Sequence, residues 1–261
     1  MNTVAIVGVG LIGGSFALAL RKTGFQGRII GVSSPATIDK AFSLGVIDEA
    51  LPLAEAASAA DLVYLSQPIS QIIETLKVLD TDALITDAGS TKAVICETAR
   101  NLKRGRFVGG HPMAGKESRG VEQADADLFR GRPYVLTSRE PEFESWIERI
   151  GARLVFLDPV QHDQHVAFVS HLPQLVSTAL AAVLAGKEQV AGPAAADLTR
   201  LALSPYDIWR DIFATNAGAI DAALGAFIGK LEELRTQLRS PEMEQAFAQA
   251  AASARALRQG H

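Results

Sequence analysis

Thr3-Val4-Ala5-Ile6-Val7-Gly8-Val9-Gly10-Leu11-Ile12-Gly13-Gly14-Ser15-Phe16-Ala17-Leu18-Ala19-Leu20 is the stretch that decides the fold. The apolar run Val4–Val7 reads as a buried strand, and the residues from Leu11 onward read as a helix whose apolar face is Leu11, Ile12, Phe16, Leu18 and Ala19. Between them the glycines have separate tasks. Gly8 permits the tight turn, Gly10 lets backbone approach a pyrophosphate, and Gly13 lets the helix lie close on the strand. Unpaired N–H groups and the positive dipole end of that helix favour a bound anion. Any close-packed strand–helix junction can use glycine for steric reasons alone, but this order of strand, glycine loop and helix points to a dinucleotide site.

Working outward, strand-like runs at Val4–Val7, Arg28–Val32, Leu62–Leu65, Leu84–Thr86, Phe107–Val108, Tyr134–Thr137 and Leu154–Leu157 alternate with helical patterns. This is the α/β alternation of a doubly wound, Rossmann-type sheet. From Pro159 the strand signals stop, and Ala/Leu-rich segments at 160–187, 193–202, 206–239 and 241–258 read as helices broken at Gly186, Gly192, Pro205 and Pro241. The expected organisation is a dinucleotide-binding domain over residues 1–158 and an all-helical domain over 159–261. A parallel sheet binds ligands beyond the carboxyl ends of its strands. Chemistry is therefore sought in Gln67-Pro68, Asp87-Ala88-Gly89-Ser90-Thr91-Lys92 and Gly109-Gly110-His111-Pro112-Met113-Ala114-Gly115.

The 261 residues are 48% hydrophobic, ample for a core, and carry a net charge of −4 with no basic run, which argues against a nucleic-acid surface. The single cysteine, Cys96, excludes an internal disulfide framework and reads as a buried structural thiol among Val94, Ile95 and Ala99. The chain opens directly on a strand, and apolar stretches such as Leu175–Ala185 read as too short or too polar to span a bilayer. A cytoplasmic protein is expected.

Where a NAD site usually ends its second strand in a carboxylate that accepts the ribose hydroxyls, this chain has Ser33, followed by Ser34 and Thr37, with no acid until Asp39 inside the next helix. Hydroxyls without a carboxylate suit a 2′-phosphate, so NADP is expected ahead of NAD. No arginine follows Ser33 to strengthen that preference. The cofactor residues anticipated are Gly8, Gly10, Leu11, Ile12, Gly13, Ser33, Ser34, Thr37, Gln67, Pro68 and Ser90.

His111, in a glycine-rich loop after a strand, is a candidate general base with an exposed imidazole. A second histidine lies in Ser170-His171-Leu172-Pro173-Gln174. His162 and His165 are three apart, but no acidic or sulfur ligand follows at a zinc-site offset, so no metal is expected.

Taken together, GVGLIGGS, DAGSTK, GGHPMAG, the HDxxxAFVSHLPQ stretch and DLTRLALSPYDIWRDI followed by Asn216 resemble the prephenate/arogenate dehydrogenase (cyclohexadienyl dehydrogenase) family, in order and from residue 3 to about 235. The resemblance implies oxidative decarboxylation of prephenate or arogenate, in tyrosine biosynthesis, with NADP or NAD accepting the hydride. It assigns His111 to the substrate hydroxyl and Ser90 to the vicinity of that hydroxyl and the nicotinamide; a helix N-cap is the competing role for Ser90. It carries the grip on the ring carboxylate to Arg200, and substrate-pocket positions to His171, Asp197 and Trp209. It also implies a homodimer through the helical half, for which the apolar helices over 174–185 and 212–231 supply the surface.

Two departures from the family pattern stand out. Gly192-Pro193-Ala194-Ala195-Ala196 replaces a glycine-rich stretch, and Gln174 stands where many members have histidine. Both leave the substrate side chain open: an ammonium, unlike a keto acid, wants an acidic neighbour, for which Glu117 and Asp197 are the candidates. Two other readings of the chain remain: a β-hydroxyacid-type dehydrogenase and a non-catalytic dinucleotide sensor. The first wants a lysine at the start of the second domain, yet none occurs between Lys116 and Lys187. The second leaves Ser90, His111, His171 and Arg200 without a common purpose.

Overall fold

Six parallel strands in the order β3-β2-β1-β4-β5-β6 form the main sheet of a computed structural model that describes residues 1–116 and 118–259. The strands are β1 (Thr3–Val7), β2 (Arg28–Val32), β3 (Glu49–Ala50), β4 (Leu62–Leu65), β5 (Leu84–Asp87) and β6 (Phe107–Val108). Helices α1 (Leu11–Lys22), α2 (Pro35–Ser43), α3 (Leu53–Ala59), α4 (Ile69–Val78) and α5 (Ala93–Asn101) make the crossovers. Strand order reverses between β1 and β4, the place where a doubly wound sheet opens a crevice. The register aligns the crest of that crevice: Val7 pairs with Val32 and Leu65, and Leu65 with Asp87, so that Gly8, Ser33, Ser66 and Ala88 leave the sheet side by side.

The chain divides into two compact units, Met1–Asp163 with Ser204–Thr215 and Gln164–Leu203 with Asn216–His261. In the first, α1 presses Phe16, Ala17 and Leu20 on the sheet, all fully buried. The Phe16 ring stacks on Tyr64 with centroids 4.1 Å apart, and the Tyr64 hydroxyl reaches that of Tyr134 at 3.1 Å. Burial raises both hydroxyls well above the ordinary tyrosine range. Tyr134 belongs to a second sheet in which β7 (Gly110–Pro112) runs antiparallel to β8 (Pro133–Leu136), and β8 parallel to β9 (Arg153–Phe156), with α6 (Pro141–Arg149) between the last two.

The strands read from periodicity lie within about a residue of those observed. Periodicity did not single out β3, two residues long, or β7, whose Gly-His-Pro composition has no β propensity. Pairing with β8 imposes the extended form on β7, with His111 opposite Val135.

In the second half, α7 (Pro159–Val166) runs through a π-helical segment, Ala167–His171, into α8 (Leu172–Leu184). There follow α9 (Pro193–Thr199), α10 (Tyr206–Gln237) and α11 (Glu242–Gln259). Pro193 starts α9 at the first-turn position where a missing N–H costs nothing, so the Gly192–Ala196 replacement does become helix. Asn216, at φ −134° and ψ 24°, breaks α10. Continuity through the π segment corrects one expectation. Pro159–Leu184 and Tyr206–Gln237 are each long and apolar enough to cross a membrane, with mean hydropathy 1.5 and 1.4. Reading Leu175–Ala185 by itself underestimated the first of them. Both also carry buried polar side chains, among them His162, Asp163, His171, Gln174 and Asn216.

Candidate active site

The glycine loop separates into steric and open positions. A Cβ on Gly13 would lie 2.4 Å from the Gly8 carbonyl oxygen and 2.4 Å from Ser66 Oγ; Gly8 has φ +94°, and a Cβ there would lie 2.9 Å from the Ser66 backbone. Around Gly10 a Cβ would meet nothing within 4 Å. Gly10 caps α1, with no side chain bonded to the open amides and no acid in the first turn. Beside it lies a groove of about 620 Å³ whose walls include Gly10, Leu11, Ile12, Gln67, Pro68 and Ser90. A helix N-terminus with no side-chain cap bond, clear space at its glycine and an apolar wall beside it fits a dinucleotide pyrophosphate. Ser33 follows β2 directly, and the Ser34 and Thr37 hydroxyls lie 3.0 Å apart at the start of α2, whose first turn has no acid.

His111 departs from the sequence reading, which placed it in a loop with an exposed imidazole. It lies on β7 and is 9% exposed. The glycines before it serve close approach rather than freedom: a Cβ on Gly110 would lie 2.5 Å from the Asp87 carbonyl oxygen, and one on Gly109 2.7 Å from Cys96 Sγ. The Gly110 amide donates to Asp87 Oδ1 at 3.2 Å, tying β7 to the end of β5. His111 Nδ1 sits 2.8 Å from His162 Nε2, and His162 Nδ1 is 2.7 Å from Asp163 Oδ1. Burial holds the His162 imidazole below the ordinary histidine range, against the Asp163 carboxylate, which opposes it.

Ser90 is half-buried and lines the groove. It does not cap α5. The Asp163 carboxylate does so, accepting the Lys92 amide at 2.7 Å and the Ala93 amide at 2.9 Å. Between Ser90 and that cap, Lys92 turns inward and pairs with Asp87, both side chains fully buried. Burial raises the Asp87 carboxyl, opposed by the Lys92 ammonium and by the Gly89 and Gly110 amides. Lys92, His162 and Asp163 were in view in the sequence without these roles. The sequence offers His162 only as a metal ligand beside His165, but it is buried with both ring nitrogens engaged while His165 is exposed. Trp209 belongs to the same unit, half-buried, with its indole N–H on Ser204 Oγ at 2.9 Å and its ring against Phe213.

The second unit holds the other candidates. His171, 1% exposed, closes the π-helical segment, and its Nδ1 is 3.3 Å from Asn216 Nδ2 at the break in α10. π segments of this kind recur at functional positions. Gln174 donates to the Leu201 carbonyl at 2.9 Å, pinning the turn that begins at Arg200. Asp197 and Arg200 are exposed, on α9 and directly after it. Glu117 lies outside the described residues.

Comparison with known proteins accords with these features. The family model described as prephenate dehydrogenase, nucleotide-binding domain, matches residues 16–156, and that for the prephenate dehydrogenase dimerization domain matches residues 158–251. A prephenate dehydrogenase of Lactococcus lactis is 33% identical over 91% of this chain and 72% of its own length. The crystal structure of prephenate dehydrogenase from Aquifex aeolicus in complex with hydroxyphenyl propionate and NAD+ superposes with a TM-score of 0.87 at 32% identity, covering 98% of each chain. That of Synechocystis arogenate dehydrogenase does so at 0.83 and 31%, covering 98% of this chain and 99% of that one. On the family match and these relatives together, the chain belongs to the prephenate dehydrogenase family.

Proposed function

We propose that this chain oxidatively decarboxylates prephenate or arogenate, with His111 as the group that takes the substrate's hydroxyl proton. The observation that carries the reading is a buried histidine, held by a hydrogen-bonded chain to a carboxylate, in the same unit as an open dinucleotide groove. When bound there, a nicotinamide cofactor supplies the hydride acceptor for the ring carbon that bears the hydroxyl. His111 accepts the hydroxyl proton as the carbonyl forms, and Ser90, on the groove wall, orients that hydroxyl. Arg200 grips the ring carboxylate bidentately, with His171 as a further substrate contact. As the bond to that carboxylate breaks, its electron pair passes through the ring onto the former hydroxyl oxygen, which recovers the proton from His111. Carbon dioxide leaves and the aromatic ring makes the step irreversible.

The hydroxyls of Ser33, Ser34 and Thr37, with no carboxylate beside them, favour NADP over NAD. The family's dimerization domain and the exposed Phe168, Val169, Val183, Ile228 and Leu231 of the helical unit favour a homodimer. The setting we propose is cytoplasmic. The test is reduction of NADP and of NAD by the purified protein, each with prephenate and with arogenate. Turnover with either substrate supports the reading, and none with any pairing overturns it.

A further inference from the structure

We propose that His162 and Asp163 are positioning residues that hold His111 in the tautomer its reaction needs, with the proton on Nδ1 and the lone pair on Nε2. This role rests on the reading of His111 as the proton acceptor. Asp163, 4% exposed, meets the Lys92 amide at 2.7 Å and His162 Nδ1 at 2.7 Å on Oδ1, and the Ala93 amide at 2.9 Å on Oδ2. A carboxylate oxygen offers lone pairs to N–H donors and can only accept from them. The contact with the imidazole therefore places a proton on His162 Nδ1. His162 is fully buried and its burial disfavours the imidazolium, so its Nε2 keeps a lone pair. That lone pair lies 2.8 Å from His111 Nδ1, which must be the donor. A neutral His111 then has its own lone pair on Nε2.

The other charges facing His162 are the Lys92 ammonium and the Asp87 carboxylate, which pair with each other. Asp163 is consequently the charge that sets the direction of the chain. When His111 takes a proton at Nε2, its Nδ1–H already points at an acceptor backed by that carboxylate, the relation of base to orienting acid that serine hydrolases use, with one imidazole interposed. The α5 cap and the base share a single carboxylate, so the fold that ends β5 also orients the reacting nitrogen.

Asp163→Ala removes the acceptor that fixes the direction of the chain. Without an acceptor at His162 Nδ1 the Nε2–H tautomer of His162 becomes populated, which turns His111 Nδ1 into an acceptor and puts a proton on His111 Nε2; an Asn would not do this, because its oxygen would keep the Oδ1 place that both the Lys92 amide and His162 Nδ1 face. NMR of the full-length protein with isotope-labelled histidine reads these tautomers directly. In the wild type both His111 and His162 are expected as the Nδ1–H form. In Asp163→Ala, the Nε2–H form of His111 is expected to appear, with kcat reduced roughly tenfold or more and cofactor affinity unchanged. Should that variant fail to fold, His162→Gln leaves the α5 cap in place and still offers His111 an amide oxygen; it is expected to keep at least tenfold more kcat than His162→Leu, at similar KM. An Nε2–H tautomer of His111 in the wild type, or equal kcat for the Gln and Leu variants, overturns the proposal. A tautomer that switches while kcat stays constant instead removes His111 from the chemistry and leaves the positioning chain standing.

Discussion

Lys92→Met removes the ammonium that faces Asp87 while keeping the length of the side chain. Both partners of this pair have no exposed surface, so Asp87 is left as an ionised carboxylate without water or counter-charge. Removing one member of a buried pair costs about 3–5 kcal/mol. Asp87 retains the Gly89 amide at 2.8 Å and the Gly110 amide at 3.2 Å, which places the expected loss near the lower end, about 3 kcal/mol. The pH dependence carries the signature. Burial already raises the Asp87 carboxyl, and loss of the ammonium raises it further. A carboxyl whose folded pKa exceeds its unfolded value adds stability below the unfolded value and loses it as pH rises through the folded one. Between the wild-type value and that further raised one the variant should therefore gain up to about 1.4 kcal/mol per unit of falling pH relative to wild type. Urea denaturation followed by tryptophan fluorescence measures this in the right place, because Trp146 and Trp209 both lie in the first unit. The double variant Asp87→Asn/Lys92→Met should be more stable than Lys92→Met alone at neutral pH. A loss below about 1 kcal/mol with no change of pH slope would refute the buried-pair argument.

Three substitutions follow from the proposed site. His111→Asn should keep cofactor affinity by titration and lower kcat roughly 100-fold or more, the scale of a lost proton acceptor; turnover within a few-fold of wild type removes it from the mechanism. Arg200→Ala should raise KM for the substrate well above that of Arg200→Lys, itself poor because lysine lacks the two-pronged grip; normal substrate binding by the Ala variant makes Arg200 structural. Ser33→Asp should move the ratio of kcat/KM values toward NAD by repelling a 2′-phosphate and accepting the ribose hydroxyls; a wild type that already prefers NAD refutes the premise.

The main sheet and the glycine groove were legible in the sequence because both rest on local signals. Val4–Val7 alternates into a glycine loop and then into an amphipathic helix, and short-range periodicity encodes each step. Gly10 and Gly13 were distinguishable in advance as an approach point and a packing contact, and the clearances around them agree. What local pattern does not carry is pairing across long separations. His162, which His111 meets, lies 51 residues away, and the carboxylate capping α5 lies 70 residues from the Ala93 amide. Nothing in the spacing of His162 and Asp163 announces either bond. For the same reason the exposure of His111 was misread: its glycines suggested an open loop, whereas the closeness of Asp87 and Cys96 demands them. The π-helical segment was equally hidden, since Ala167–His171 has an ordinary helical composition.

The most direct test of the account is a product balance. Purified wild-type protein is given prephenate, and separately arogenate, with excess oxidised cofactor, and the reduced cofactor, carbon dioxide and aromatic product are quantified beside His111→Asn. Equal amounts of all three are expected with at least one of the substrates, and a rate at least roughly 100-fold lower in the variant. Reduced cofactor without carbon dioxide, or equal rates for the two proteins, would contradict the proposed reaction.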